Sequence, residues 1–205
     1  MRNTTPSRAK SPVARRRSSP ARRATSLERR NVFSGRVISV DVERVELPNG
    51  ALAELEIIRH PGGAAVVAVN AQREVCLLRQ YRHALEGWLW ELPAGKLDGG
   101  EQPLRAARRE LAEEAGVTAT RWTRLGGFVS SPGVFTEVVH LFLATALSET
   151  RARPEASEVF EVRWIALERA LALALKGEIT DGKTVVGLAR AAARLQSIKS
   201  KRRKS

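Results

Sequence analysis

Apolar and polar positions alternate in short runs along most of this chain. Over 35–47, Val37, Val40, Val42 and Val45 are spaced among polar neighbours. Pro48-Asn49-Gly50 follows, and over 51–60 Leu55 and Ile57 alternate with Glu54 and Glu56. Period-two alternation on both sides of a turn signal predicts a β-hairpin, the basis of a small amino-terminal sheet. Residues 64–70 and 74–80 are two nearly continuous apolar strands around Asn70-Ala71-Gln72-Arg73. Further strands are expected near 121–129, 137–146 and 159–165. Helical periodicity marks the second half of 95–116, then 167–175, then 181–198 with Asp181 or Thr180 as its cap. Strands and helices intermixed in this way predict an α/β fold without internal repeats.

Residues 95–117 carry the chemistry. Gly95-Lys96-Leu97-Asp98-Gly99-Gly100-Glu101 is followed, seven residues later, by Arg109-Glu110-Leu111-Ala112-Glu113-Glu114-Ala115-Gly116-Val117. Glycines make a loop, a helix follows, and three glutamates crowd its last turns. At about 100° per residue, Glu110 and Glu114 lie roughly 40° apart on successive turns and can share a metal ion, with Glu113 on the flank. Leu104, Ala107, Leu111 and Ala115 form the adjoining apolar stripe, and Gly116 closes the helix. Glu101 with Arg105, and Arg109 with Glu113, have i,i+4 spacing. Carboxylates gathered on one face bind hard divalent cations, and Mg²⁺ acts on phosphates. Arg-Glu-x-x-Glu-Glu alone reads as a solvated acidic helix; with Gly95 and Glu101 in place the metal reading prevails.

Charge changes the picture only at the ends. The net charge is +13. Residues 1–31 hold ten Arg and Lys against Glu28, giving +9, and residues 199–204 hold five, giving +5, so 13 − 14 leaves 32–198 near −1. Both ends are expected to be disordered basic tails, 1–31 and 199–205, because they have almost nothing apolar to bury. Between them, 32–60 forms the amino-terminal sheet and 61–198 the main domain. The tails suit weak, nonspecific nucleic-acid contact, although no aromatics are interleaved with the basic residues. The first tail has the Arg- and Ser-rich composition of transit peptides without a clear amphipathic face. No apolar run approaches the ~18 residues of a membrane span. The one cysteine, Cys76, falls in an apolar strand and reads as a core residue. A cytoplasmic protein without membrane partners is the expectation.

The stretch 95–117 resembles the signature of the Nudix hydrolases at every position. Its surroundings are similar to the ADP-ribose pyrophosphatase-like subgroup: Arg79-Gln80-Tyr81-Arg82, Trp90-Glu91-Leu92-Pro93-Ala94-Gly95, Ser131-Pro132-Gly133, and Glu158-Val159-Phe160-Glu161-Val162-Arg163-Trp164. The resemblance covers roughly residues 35–195. It implies an α/β/α sandwich with a mixed sheet, the small amino-terminal antiparallel sheet, and a homodimer in which those sheets swap or pack across the interface.

The resemblance also implies roles. Glu110 and Glu114 are metal ligands, with Glu113 and the Ala94 carbonyl as further ones, for Mg²⁺ or Mn²⁺. Glu101 and Arg109 hold loop and helix together, and Glu101 is also a candidate to orient water. Glu158 is the general base when the register is set on Trp164, with Glu155 as rival and Glu113 as a further acceptor. Arg79, Arg82, Glu91, Pro132 and Gly133 contact substrate. Trp88 and Trp90 suit base stacking or packing; Trp122 and Trp164 read as packing residues, and His60, His83 and His140 as structural. The implied reaction is hydrolysis of ADP-ribose to AMP and ribose 5-phosphate. Alternatives are another nucleotide sugar (GDP-mannose, ADP-glucose or a broad range), or a catalytically silent protein that binds a nucleotide or RNA.

Overall fold

Where each apolar face finds cover decides the architecture. The computed structural model describes residues 22–202. In chain order its elements are β1 (Thr25–Ser34), β2 (Ser39–Glu46), β3 (Leu52–Arg59), β4 (Gly63–Ala68), β5 (Glu74–Arg82), β6 (Gly87–Glu91), β7 (Ala94–Lys96), α1 (Pro103–Ala115), β8 (Val117–Val129), β9 (Val138–Glu149), β10 (Phe160–Ala166), α2 (Leu167–Leu175) and α3 (Gly182–Arg202). β4 is buried along its whole length. Ala65 and Val67 pack with Leu77, Leu141, Leu143 and Leu188, beneath α2 and α3. Ala64, Val66 and Ala68 face the other way, onto Ala106, Ala107 and Leu111 of α1. Cover on both faces explains the unbroken apolar run, since no side of the strand meets water.

Three sheets result, with strand orders β1-β2-β3, β10-β5-β6 and β7-β4-β9-β8. β4 runs parallel to β9, with Ala65 opposite Leu141, and antiparallel to β7. The sheet is therefore mixed and lies between helices, as expected. The two strands around Asn70–Arg73 do not form a hairpin. Just past β4, the Val69–Val75 bridge links them, and β4 and β5 then join different sheets while packing side chains in common cores.

The tail boundary at residue 31 needs correction. β1 begins at Thr25 and pairs with β2 from Thr25↔Glu46 to Ser34↔Ser39. Composition marks this stretch as a basic tail, but Arg29 and Asn31 have partners on β2. Arg29 lies 2.9 Å from Glu43, and Asn31 Nδ2 donates to Asp41 Oδ1 at 3.0 Å. Asp41 and Glu43 are buried on β2 and bind Arg59 of β3 as well. The hairpin thus becomes a three-stranded sheet. At the other end α3 runs to Arg202, past the expected boundary at 198. The remainder of both expected tails, 1–21 and 203–205, lies outside the described residues.

Leu77 is fully buried between β4 and the helical layer. Leu77→Ala is expected to lower unfolding free energy by about 2–5 kcal/mol, with an unchanged denaturant slope in urea titration.

Candidate active site

β7 and α1 face each other across the site, and their contact sets the local geometry. Gln102 caps α1, Pro103 occupies its first turn, and Gly116 ends it in the left-handed region at φ 62°. The expected stripe of Leu104, Ala107, Leu111 and Ala115 packs on the sheet, joined by Ala106. That orientation buries Glu110 and Glu114 as well. Glu110 lies directly under Gly95: a Cβ there would overlap the Glu110 carboxylate. The Ala94 N–H donates to Glu114 Oε2 at 2.8 Å. Backbone is held equally close behind, since a Cβ on Gly63 would stand 2.9 Å from the Gly95 carbonyl oxygen.

Arg109 ties loop to helix. Its guanidinium lies 3.1 Å from Glu101, 2.7 Å from Glu110 and 3.1 Å from Glu113, and it donates to the Lys96 carbonyl. The expected Glu101–Arg105 pair is replaced by Glu101–Arg109. Glu101 precedes the Gln102 cap, so it is not on the helix and the i,i+4 rule does not reach it. Burial raises the Glu110 carboxyl above the usual range, against the opposing pull of Arg109. Burial pushes Glu114 up to about 8, against the Ala94 N–H and reinforced by Glu110 and Glu158. These carboxylates are therefore stabilised less by their own donors than they would be by water.

A cleft of about 560 Å³ opens beside these carboxylates. Glu110, Glu113 and the Ala94–Gly95 backbone form one wall; Glu155 and Glu158 enter from the loop before β10. The two loop acids share one turn. The Glu158 N–H donates to the Glu155 carbonyl at 3.0 Å, and the Glu155 N–H donates to the Glu158 carboxylate at 3.0 Å. Glu155 is exposed and Glu158 half-buried.

The arginines separate by strand parity. Gln80 and Arg82 of β5 line the cleft. Arg79 and Tyr81 point away, Arg79 stacking on the Trp88 ring at 5.5 Å and Tyr81 meeting it edge-on. Arg79 therefore lies outside this cleft, as do Pro132 and Gly133. The loop that carries them is bound to β3 instead, through Ile58 N–H to Val134 O and Thr136 N–H to Ile58 O. Trp90, Trp122 and Trp164 pack against the two cores. Cys76 is buried in β5, and burial pushes its thiol up to about 12.

Glu91 is almost fully buried behind the cleft and takes Arg82 through both oxygens, at 2.7 and 2.8 Å. Burial alone would raise its carboxyl; Arg82 and Lys183 outweigh that and hold it at about 2. Lys183, His60, Gln80 and Glu137 also line the cleft, and sequence reasoning gave none of them a functional place. His60 Nδ1 stands 3.4 Å from Glu137. Gln80 sat inside the quoted Arg79–Arg82 motif and parity would have marked it. Lys183 had no local signal.

The donor set suits a hard divalent cation: buried oxygen ligands, excess negative charge, and glycine where a side chain would intrude. Among the described residues the carboxylates do not converge on one point. Arg109 engages Glu110 and Glu113, and the Ala94 N–H engages Glu114.

A β4-centred mixed sheet with this loop-helix unit defines a class, and comparison with known proteins gives the same one. A NUDIX domain family model matches residues 59–186, and the chain belongs to the Nudix hydrolases. Enzymes of that family depend in general on a divalent metal. The chain is 42% identical over 165 residues to an ADP-ribose pyrophosphatase of Bacillus subtilis, covering 80% of this chain and 89% of that protein. It is 39% identical to a methanol dehydrogenase activator of Bacillus methanolicus, with the same coverage. A solved ADP compounds hydrolase shares the fold, with a TM-score of 0.75, 24% identity, and 88% of this chain and 98% of that one covered.

Gly95→Ala is expected to displace Glu110 and cut kcat by at least about 10²-fold, the scale of losing one key electrostatic group. Gly99 has open space around its Cβ position, so Gly99→Ala is expected to stay within about threefold of wild type. Steady-state rates of the two variants check the contrast.

Proposed function

We propose that this protein hydrolyses the diphosphate bond of ADP-ribose, giving AMP and ribose 5-phosphate, with Mg²⁺ or Mn²⁺ as its metal. The observation that carries the reading is the buried pair of Glu110, directly under Gly95, and Glu114, bonded to the Ala94 N–H, with Glu110 at a cleft that Arg82 and Glu158 also border. Glu110, Glu114 and the Ala94 carbonyl would hold the metal, with Glu113 as a further ligand. When bound, the metal neutralises phosphate charge and polarises the phosphoryl oxygens. Arg82 grips the diphosphate, an interaction that suits a planar guanidinium. Glu158 accepts the proton of the attacking water, whose oxygen bonds to one phosphorus as the bridging P–O bond breaks. Glu101 and Arg109 keep α1 in register with β7.

The proposed active unit is a homodimer joined through the amino-terminal sheet. β1 is exposed along its length and presents Leu27, Val32 and Phe33 to solvent, an arrangement that favours cover by a second copy. Arg79, Pro132 and Gly133 belong to the proposed substrate contacts of that dimer rather than of the single cleft. No helix among the described residues is long and apolar enough to cross a membrane. The buried, unpaired Cys76 needs no oxidising compartment, which suits the cytoplasm.

Two measurements test the reading. With ADP-ribose, GDP-mannose and ADP-glucose assayed side by side in Mg²⁺, ADP-ribose is expected to give the highest kcat/KM, and excess EDTA to abolish turnover. Full activity in EDTA contradicts the metal role, and preference for another sugar moves the substrate.

The base is tested by single-turnover rates. Glu158→Gln is expected to lower the chemical step far more than it raises KM, and Glu155→Gln to be milder by about tenfold or more. The reverse order transfers the role to Glu155. If neither variant is slow, proton acceptance falls to a helix carboxylate such as Glu113.

A further inference from the structure

Glu91 has a second cation that the proposed reaction leaves without a task. Lys183 lies in the first turn of α3, with its Nζ 2.5 Å from Glu91 Oε2 and 3.1 Å from Asp181 Oδ2. Asp181 is committed to capping α3: its Oδ2 accepts the Thr184 N–H at 3.0 Å and the Thr184 hydroxyl at 2.5 Å. Thr184, fully buried, accepts the Leu92 N–H at 2.9 Å. The path Leu92–Thr184–Asp181–Lys183–Glu91 thus closes within one residue of where it began, and Arg82 of β5 joins it at Glu91. It fixes the start of α3 to β6 and passes through a carboxylate with almost no access to water.

We propose that Lys183 is a positioning residue for substrate binding: it locks Glu91 so that Arg82 is held in one orientation at the cleft. Arg82 uses Nε and Nη2 on Glu91, and the rest of its guanidinium remains for phosphate. Its direction depends on where the two Glu91 oxygens sit. Arg82 is 42% exposed and cannot be fixed by packing. Lys183 is only 15% exposed, is anchored to a helix start, and grips the same oxygen that receives Arg82 Nη2. Glu91 carries that rigidity from α3 to the arginine. A carboxylate with one mobile partner would reorient with it; one with two partners on different elements does not. This inference rests on the proposed diphosphate contact of Arg82, and it assigns Lys183 no contact with substrate.

A double-mutant cycle on the full chain tests it. Lys183→Met is expected to raise KM for ADP-ribose by about tenfold and leave kcat within about threefold, since ground and transition states lose the same grip. In a Glu91→Gln background, the same change at Lys183 is expected to add less than about twofold, because residues acting through one another are not additive. Undiminished effects in that background mean that Lys183 contacts substrate directly and overturn the proposal; so does an unchanged KM in Lys183→Met. If Lys183→Met does not fold, Lys183→Ala, which likewise removes the donor to Glu91, replaces it in the cycle with the same expected outcomes. A readout without turnover separates this idea from the reaction itself. The Arg82 Nε–H resonance is expected to be sharp and slow to exchange in wild type, and fast to exchange in the Lys183 variant. If wild type hydrolyses none of the three nucleotide sugars, the proposed function fails while the resonance still reports on Lys183. A resonance that exchanges equally slowly in both proteins overturns the inference even if the hydrolase is active.

Discussion

Two carboxylates buried against one short strand, Glu110 beneath Gly95 and Glu114 on the Ala94 N–H, are the constraint on which the rest of this structure depends. Taking Glu110 and Glu114 out of water is costly, and one guanidinium and one backbone N–H answer only part of that cost. The surroundings are arranged to sustain them. Gly95 leaves room for Glu110, Gly63 lets β7 lie close against β4, and Arg109 clamps the loop to the helix. α1 keeps its orientation because Ala106, Ala107 and Leu111 are packed into the core. The same contacts that bury the apolar stripe force the adjoining glutamates inward. Stability and chemistry are coupled here through one helix face.

Opposite that negative wall stands a network of the other kind. Arg82, Glu91, Lys183 and Asp181 are balanced in charge and linked by hydrogen bonds and ion pairs, and they join β5, β6 and α3. Such a network costs little once complete, and it specifies geometry better than an apolar contact does. The cleft therefore has one wall with unsatisfied negative charge, suited to recruiting a cation, and one wall whose charges are already paired and held in place. The loop before β10 brings Glu155 and Glu158 between them.

Much of this was legible in the chain. The helix period, the cap at Gly116 and the apolar stripe gave α1 and the facing of its glutamates, because those are local properties. α2 and the strands with clean alternation were legible for the same reason. β7 was not, since three residues acquire their extended form only by pairing with β4. β1 was hidden by its composition: its arginines look like a tail until the acids of β2 stand opposite them. Lys183 and His60 reach the cleft only through tertiary packing, and no spacing announces them. Arg79 is the converse case. A motif placed it at the site, while the parity of its strand turned it towards Trp88.

Binding of Mn²⁺, followed by electron paramagnetic resonance without substrate, tests the central claim most directly, because it asks about the buried carboxylates and not about turnover. The account predicts saturable binding to the wild-type protein, and binding at least about tenfold weaker when Glu110 and Glu114 are both changed to Gln with the fold intact. Equal affinity in the two proteins would contradict it, and would leave the buried pair without a ligand to explain its place.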